Sequence, residues 1–155
     1  MSGRPASARW AQRKRARETA LKLLYRCEVG RLDILEVVGA LDTVLADEES
    51  PLDDDGRELA ASLARGAWDA RGPLDLRIGE ASTNWRVERM TALDRQVLRL
   101  ATHELLAHPE TPPNVVLDEA IELSRAYSGE EAARFVNGVL DGILRRLRDE
   151  GRIVS

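Results

Sequence analysis

A single cysteine among 155 residues, Cys27, leaves this chain without the means for an internal disulfide. The fold has to hold by packing alone, as expected in a reducing compartment. Aromatic residues are also scarce, at 4% with one phenylalanine, which removes much of the side-chain material that favours sheets. No apolar stretch approaches the roughly 20 residues that span a bilayer, and no apolar run of a secretion signal follows the basic N-terminus. Insertion into a membrane and export are not expected, and a cytoplasmic location is.

Catalytic signatures are missing as well. The chain has no CxxC, no HExxH and no Gly-rich phosphate loop, so neither a metal nor a cofactor is expected. Its two histidines, His103 and His108, lie five apart, a spacing that puts them on different faces of a helix. Cys27 sits on an apolar stripe with no histidine nearby in sequence to activate it, and reads as core. No residue is assigned a catalytic role, and the chain is read as a binding protein and not an enzyme.

What is present points to helices. Hydrophobic residues make up 43% of the chain and charged residues 32%, with Leu, Ala, Arg and Glu abundant, a mixture of high helix propensity and enough apolar surface for one core. The class is therefore all-α, with about seven helices. Residues 1–8 read as a flexible basic arm ahead of one helical domain over 9–155, which has two groups of helices joined near residue 85. From about Trp10, Ala16, Ala20, Leu23, Leu24 and Cys27 recur at helical spacing, closed by Gly30 as a C-terminal cap. Asp33 caps a helix carrying Leu35, Val38, Leu41 and Leu45, Ser50-Pro51 starts a third through Leu59, Leu63 and Trp68, and Asp53-Asp54-Asp55 reads as a charged helix start. Gly72-Pro73 interrupts the pattern before Leu74, Leu76 and Ile78. Thr91 caps a helix with Leu93, Val97, Leu98, Leu100, Ala101 and Leu105 facing inward, and Asn114 caps one with Val115, Val116, Ala120 and Leu123. Ser128-Gly-Glu-Glu131 has capping-box spacing ahead of Phe135, Val136, Val139, Leu140, Ile143, Leu144 and Leu147. Glu104 falls within an apolar stripe and is expected to be a structural carboxylate with hydrogen-bond partners inside the fold. Gly138 and Gly142 share one side of the last helix, where they would let another backbone approach.

Charge is distributed unevenly. Through Arg26 the chain carries eight basic residues against one acid, Glu18, a net charge of +7 in a protein whose total is -4. The remainder is thus at -11. Arg13, Lys14, Arg15 and Arg17 stand where a helix begins, and positive charge there opposes the helix dipole at a cost of about 0.3–1 kcal/mol each. Cations kept in a place unfavourable to the helix point to an external anion. Arg15, Lys22 and Arg26 continue along one side, with Tyr25 about one position round as a stacking surface for an unpaired base, so RNA is the expected ligand. Arg134, Phe135 and Asn137 form a second candidate set, a cation, an aromatic and an amide able to read a base edge; Phe135 also borders the apolar face.

Four blocks in order resemble the NusB family: the arginine-rich start from Arg13 to Ala20 with Leu24-Tyr25, the segment from Asp94 to Ala101 leading to Glu104-Leu105, Pro113 to Leu123, and Phe135 to Asp141. The resemblance implies two antiparallel three-helix-type subdomains and a factor in transcription antitermination. Its implied partners are single-stranded boxA-type RNA, the ribosomal protein that doubles as NusE, and the antitermination complex on RNA polymerase. RNA contacts carried over by the resemblance fall on Arg13, Lys14, Arg15, Arg17, Tyr25, Arg134, Phe135 and Asn137. Pairing of two copies into a homodimer that hides the basic face is also compatible with it. Two alternatives stand beside this reading. One is the NusB-like module found at the N-terminus of a ribosomal RNA cytosine methyltransferase, disfavoured by the lack of a Gly-rich cofactor loop or a following Rossmann domain. The other is a helical adaptor in which the basic arm is incidental.

Overall fold

The computed structural model describes residues 6–45 and 52–153, and all regular structure within them is helical. Helix α1 spans Ala6–Gly30, α2 Ile34–Gly39, α3 Leu41–Leu45, α4 Asp54–Asp69, α5 Arg71–Ala81, α6 Ala92–Ala107, α7 Pro113–Ser128 and α8 Glu130–Asp149, with a 3₁₀ turn over Val87–Arg89. The all-α class is as expected. One helix more than expected appears among the described residues, because the segment after Asp33 breaks at Ala40 into α2 and α3. The chain divides into two compact units, one up to Arg65 and one from Gly66 onward. That division falls inside α4. No helix among the described residues is long and apolar enough to cross a membrane.

In the first unit, the stripe read from the sequence is the core of α1: Ala16, Ala20, Leu23, Leu24 and Cys27 are each at most 1% exposed. Helix α1 starts at Ala6, so residues 6–8 of the expected arm are helical, and residues 1–5 lie outside the described part. Its C-terminal end also differs from expectation. Gly30 is the last helical residue, and it is Arg31 that turns left-handed at φ 52°, while the Leu32 amide donates back to the Cys27 carbonyl at 3.2 Å. The bond closes a Schellman-type end, for which glycine is the usual residue at the position Arg31 holds. Asp33 caps α2 as expected, accepting from the Leu35 amide at 2.7 Å. The inward positions are Ile34, Val37, Leu41 and Leu45, whereas Leu35 is exposed and Val38 half-buried, since the cap sets the phase of so short a helix. Ser50-Pro51 lies outside the described residues. Asp53 caps α4 instead, accepting from Gly56 at 2.7 Å, with Asp54 and Asp55 in the first turn. A Cβ on Gly56 would stand 2.7 Å from Gln12 Oε1, which itself accepts from the Asp53 amide at 3.2 Å. This glycine lets the start of α4 close on the basic end of α1.

In the second unit, α8 packs on α5, α6 and α7. Val136, Val139, Leu140, Ile143, Leu144 and Leu147 are all buried, as the spacing predicts, and so are Val97, Leu98, Leu100, Ala101 and Leu105 of α6. Gly72-Pro73 does not interrupt the helix. It lies in the first turn of α5, where proline forfeits no intrahelical bond, and only Ala70 separates α4 from α5. Leu74 and Ile78 face inward; Leu76 is exposed. Asp75 and the buried Arg99 make a two-pronged ion pair at 2.7 and 2.8 Å between α5 and α6. Thr91 caps α6 through the Asp94 amide at 3.1 Å. Arg95 ties down the connector by donating to the carbonyls of Val87, Glu88 and Met90.

Two expected caps are replaced. Pro112, and not Asn114, precedes the first turn of α7, and Ser128 ends α7 in place of capping α8. Gly129 at φ 90° serves both helices, a left-handed conformation that glycine adopts without penalty. Gly142 admits Ala81, whose Cβ would be 3.4 Å from an added methyl, while Gly138 meets nothing within 4 Å. Glu104 is 2% exposed in α6 and takes part in polar interactions. His103 and His108 are not kept apart. His108 lies past the end of α6, and its ring meets that of His103 edge to face at 5.8 Å.

Arg31→Gly is expected to stabilise the protein by about 1 kcal/mol, since it removes the clash of a Cβ in the left-handed region; equilibrium urea unfolding measures it, and a loss of stability would contradict the assignment. Burial, followed by the charge of His108, lowers the pKa of His103 from its ordinary 6.5, against an opposing pull from Glu104. The unfolded chain therefore binds this proton more readily than the folded one. The contribution to stability is fully present above about pH 6.5 and is lost as the pH falls through the lower folded value. Unfolding curves at pH 7.5 and 5.5 should diverge less in His103→Asn than in the parent.

Candidate nucleic-acid interface

At 3.6 residues per turn the cations of α1 cannot all share one face. Arg15, Lys22 and Arg26 fall on one side, with Tyr25 adjoining: Tyr25 is 42% exposed and Arg26 is exposed, while Arg15 and Lys22 are half-buried. Arg13 and Arg17 project across the helix from Lys22, toward the buried side. Arg13 is half-buried and Arg17 only 4% exposed. The structure thus brings Arg15, Lys22, Tyr25 and Arg26 together on one surface. It places Arg17 inside the fold, where it makes polar interactions and has little surface to offer a ligand. Lys14 is half-buried on the exposed edge, its ammonium 5.1 Å from the centre of the Trp10 ring. Trp10, read from the sequence only as the start of the helix, is 52% exposed. Its signal was the i, i+4 spacing to Lys14, which puts a cation over an indole.

Electrostatics on this face favour an anion. The first turn of α1 carries no acid. Glu18 pairs with Lys22 at 3.7 Å, both side chains about a third exposed or more. An exposed pair of this kind is worth less than about 1 kcal/mol, so a phosphate can replace the carboxylate on Lys22 at little cost.

The second candidate set belongs to the other unit. Arg134 and Asn137 are exposed on α8, in line with Gly138 and Asp141, and Phe135 is half-buried at the edge of the apolar face. Glu130 and Glu131 occupy the first turn of α8, where the helix dipole favours them. Glu130 is held by Arg125 at 2.5 Å. The surface therefore combines a cation, a bare helix side at Gly138 and an amide, in reach of solvent. No group of three or more His, Cys, Asp or Glu among the described residues is arranged to hold a metal ion.

A family model described as the NusB family matches residues 14–145. The chain belongs to the NusB family. A curated relative, the transcription antitermination protein NusB of Sorangium cellulosum, is 43% identical over 135 residues, covering 87% of this chain and 93% of that one. Among solved structures, T. maritima NusB superposes with a TM-score of 0.76 at 36% identity, over 86% of this chain and 90% of its own. Another, of the antitermination factors NusB and NusE in complex with double-stranded RNA, matches with a TM-score of 0.77 at 28% identity, over 88% and 98%. The NusB match takes in every candidate site residue except Arg13 and starts eight residues after α1 does.

The two arginines of the cluster should separate cleanly. Arg17→Ala is expected to cost about 1–3 kcal/mol, the range for leaving buried partners unsatisfied, while Arg15→Ala stays within about 0.5 kcal/mol of the parent, as surface changes do. Chemical denaturation of the two variants decides it, and equal costs would place Arg17 on the surface.

Proposed function

We propose that this chain is a transcription antitermination factor that binds single-stranded boxA-type RNA together with the ribosomal protein acting as NusE, nucleating an antitermination complex on RNA polymerase. It works by binding and not by catalysis, in the cytoplasm where nascent RNA and ribosomal proteins meet. The observation that carries the reading is the exposed side of α1. There Arg15, Lys22 and Arg26 adjoin Tyr25, on a helix whose other side is buried and in a segment of net charge +7. Cations grip the backbone of a strand without reading it, and an aromatic surface takes an unpaired base. Arg13 and Lys14 extend the grip, and Arg17, from inside, holds the helix that presents it. Arg134, Phe135 and Asn137 supply the second contact, in which the amide reads a base edge. The acidic remainder of the chain suits a basic ribosomal protein. A second copy of the chain lying over the basic face would compete with RNA.

With so few base-reading groups, RNA binding by the isolated chain is weak and only moderately selective, and the ribosomal protein sharpens both affinity and selectivity. Linkage requires that RNA tighten the protein–protein contact by the same factor. Calorimetric titration with boxA-like, scrambled and duplex RNA, with and without the ribosomal protein, should return a coupling free energy. Arg15→Ala and Lys22→Ala should each flatten the log–log salt dependence by roughly 0.7. Two ligands that bind independently, or slopes that do not move, would rule the reading out.

A further inference from the structure

Helix α1 begins at Ala6, whereas the family match begins at residue 14. Its first two turns lie outside the matched region. They carry Arg9, Trp10 and Arg13, and no acid occurs before Glu18. Trp10 is a large aromatic left 52% exposed within this basic segment. An indole on an open helix face gains nothing from the core. Here the Lys14 ammonium stands 5.1 Å from the ring centre, so the cation that steadies the indole can also meet a phosphate beside it. Helical geometry sets Trp10 about 60° round the axis from Tyr25 and about 22 Å along it, with Lys14 between them and Glu18, the partner of Lys22, nearer Tyr25. An aromatic surface with a cation beside it is an arrangement that a single strand occupies, with a base stacked and the backbone held.

We propose that Trp10 is a second base-stacking platform, and that the first two turns of α1 lengthen the RNA site so that it takes nucleotides beyond those gripped from residue 14 onward. The proposal rests on the RNA-binding reading given above and adds a residue and a strand length to it. Its ligand is an unpaired base of single-stranded RNA, recognised by its π-face and thus with little preference among bases. The charge next to Trp10 within α1, on Arg9, Arg13 and Lys14, is positive, which suits a polyanion and not an apolar peptide.

The test uses the full chain and single-stranded RNAs that share a boxA-like core, unextended or extended at the 5′ or the 3′ end. The parent should bind one extended RNA more tightly than the core. Trp10→Ala should abolish that gain, a loss of about fivefold to a hundredfold for one stacked base, while Trp10→Phe retains most of it and the affinity for the core RNA is unchanged. The salt dependence should be the same in the parent and Trp10→Ala, because stacking releases no counterions. An abasic nucleotide in the extension should produce the same loss in the parent and no further loss in Trp10→Ala. The proposal is overturned if extension brings no gain, if the gain survives Trp10→Ala, or if the loss comes with a flatter salt dependence, which would make Trp10 a support for Lys14. A parent that binds none of these RNAs would remove the RNA-binding reading itself, whereas the other outcomes leave that reading standing.

Discussion

The rotational setting of α1 governs everything the first unit presents. Ala16, Ala20, Leu23, Leu24 and Cys27 lose nearly all contact with water, and each large apolar side chain so buried contributes about 1.5–3 kcal/mol. Arg13, Lys14, Arg15 and Arg17 were expected at the helix start, but α1 begins at Ala6, so they lie past the first turn, where the helix dipole opposes them little, and they chiefly repel one another. Burial outweighs repulsion, so the helix forms, and the buried stripe decides which charges point outward. Arg26 and the half-buried Arg15 and Lys22 turn outward because Leu23, Leu24 and Cys27 turn inward.

The same phase relation explains how much could be read in advance. Long apolar stripes fix a helix by many residues at once, which is why the buried faces of α1, α6 and α8 were legible. Short helices are set by one cap, and the choice of Ile34 and Val37 over Leu35 depends on where Asp33 starts the turn. Ends were harder. Serine, asparagine and glycine near a boundary fit either side of it, and the chain used Pro112, Gly129 and Arg31 where Asn114, Ser128 and Gly30 were the expected residues. The candidate site was legible as a set of residue types but not as a surface. Arg17 lies across the helix from Lys22, on the buried side, a relation that a five-residue window of basic residues does not contain.

Charged side chains do two kinds of work in this protein. Arg99 with Asp75, and Arg95 with the carbonyls of the connector, satisfy all or part of their donors inside one unit and hold helices and a loop in register. Arg26 is exposed, Arg15 and Lys22 are half-buried, and Lys22 pairs with Glu18. The difference is geometric: a planar guanidinium boxed in by fixed acceptors has nothing to offer a ligand, and one on a solvated ridge does. A chain with 32% charged residues therefore carries its functional signal in which of them the fold leaves outside.

Gly129 has a kinetic meaning as well as a conformational one. One residue joins α7 to α8, so the two helices meet with almost no loop to close, and the contacts between them link near neighbours in the chain. Closure entropy rises with loop length, and local contacts form fast. The α7–α8 pair is thus the part of the second unit with the smallest search to complete. Arg134 and Asn137 lie within two turns of that joint, so the side chains that face solvent there take their places as soon as the hairpin exists, without waiting for the remaining helices to dock.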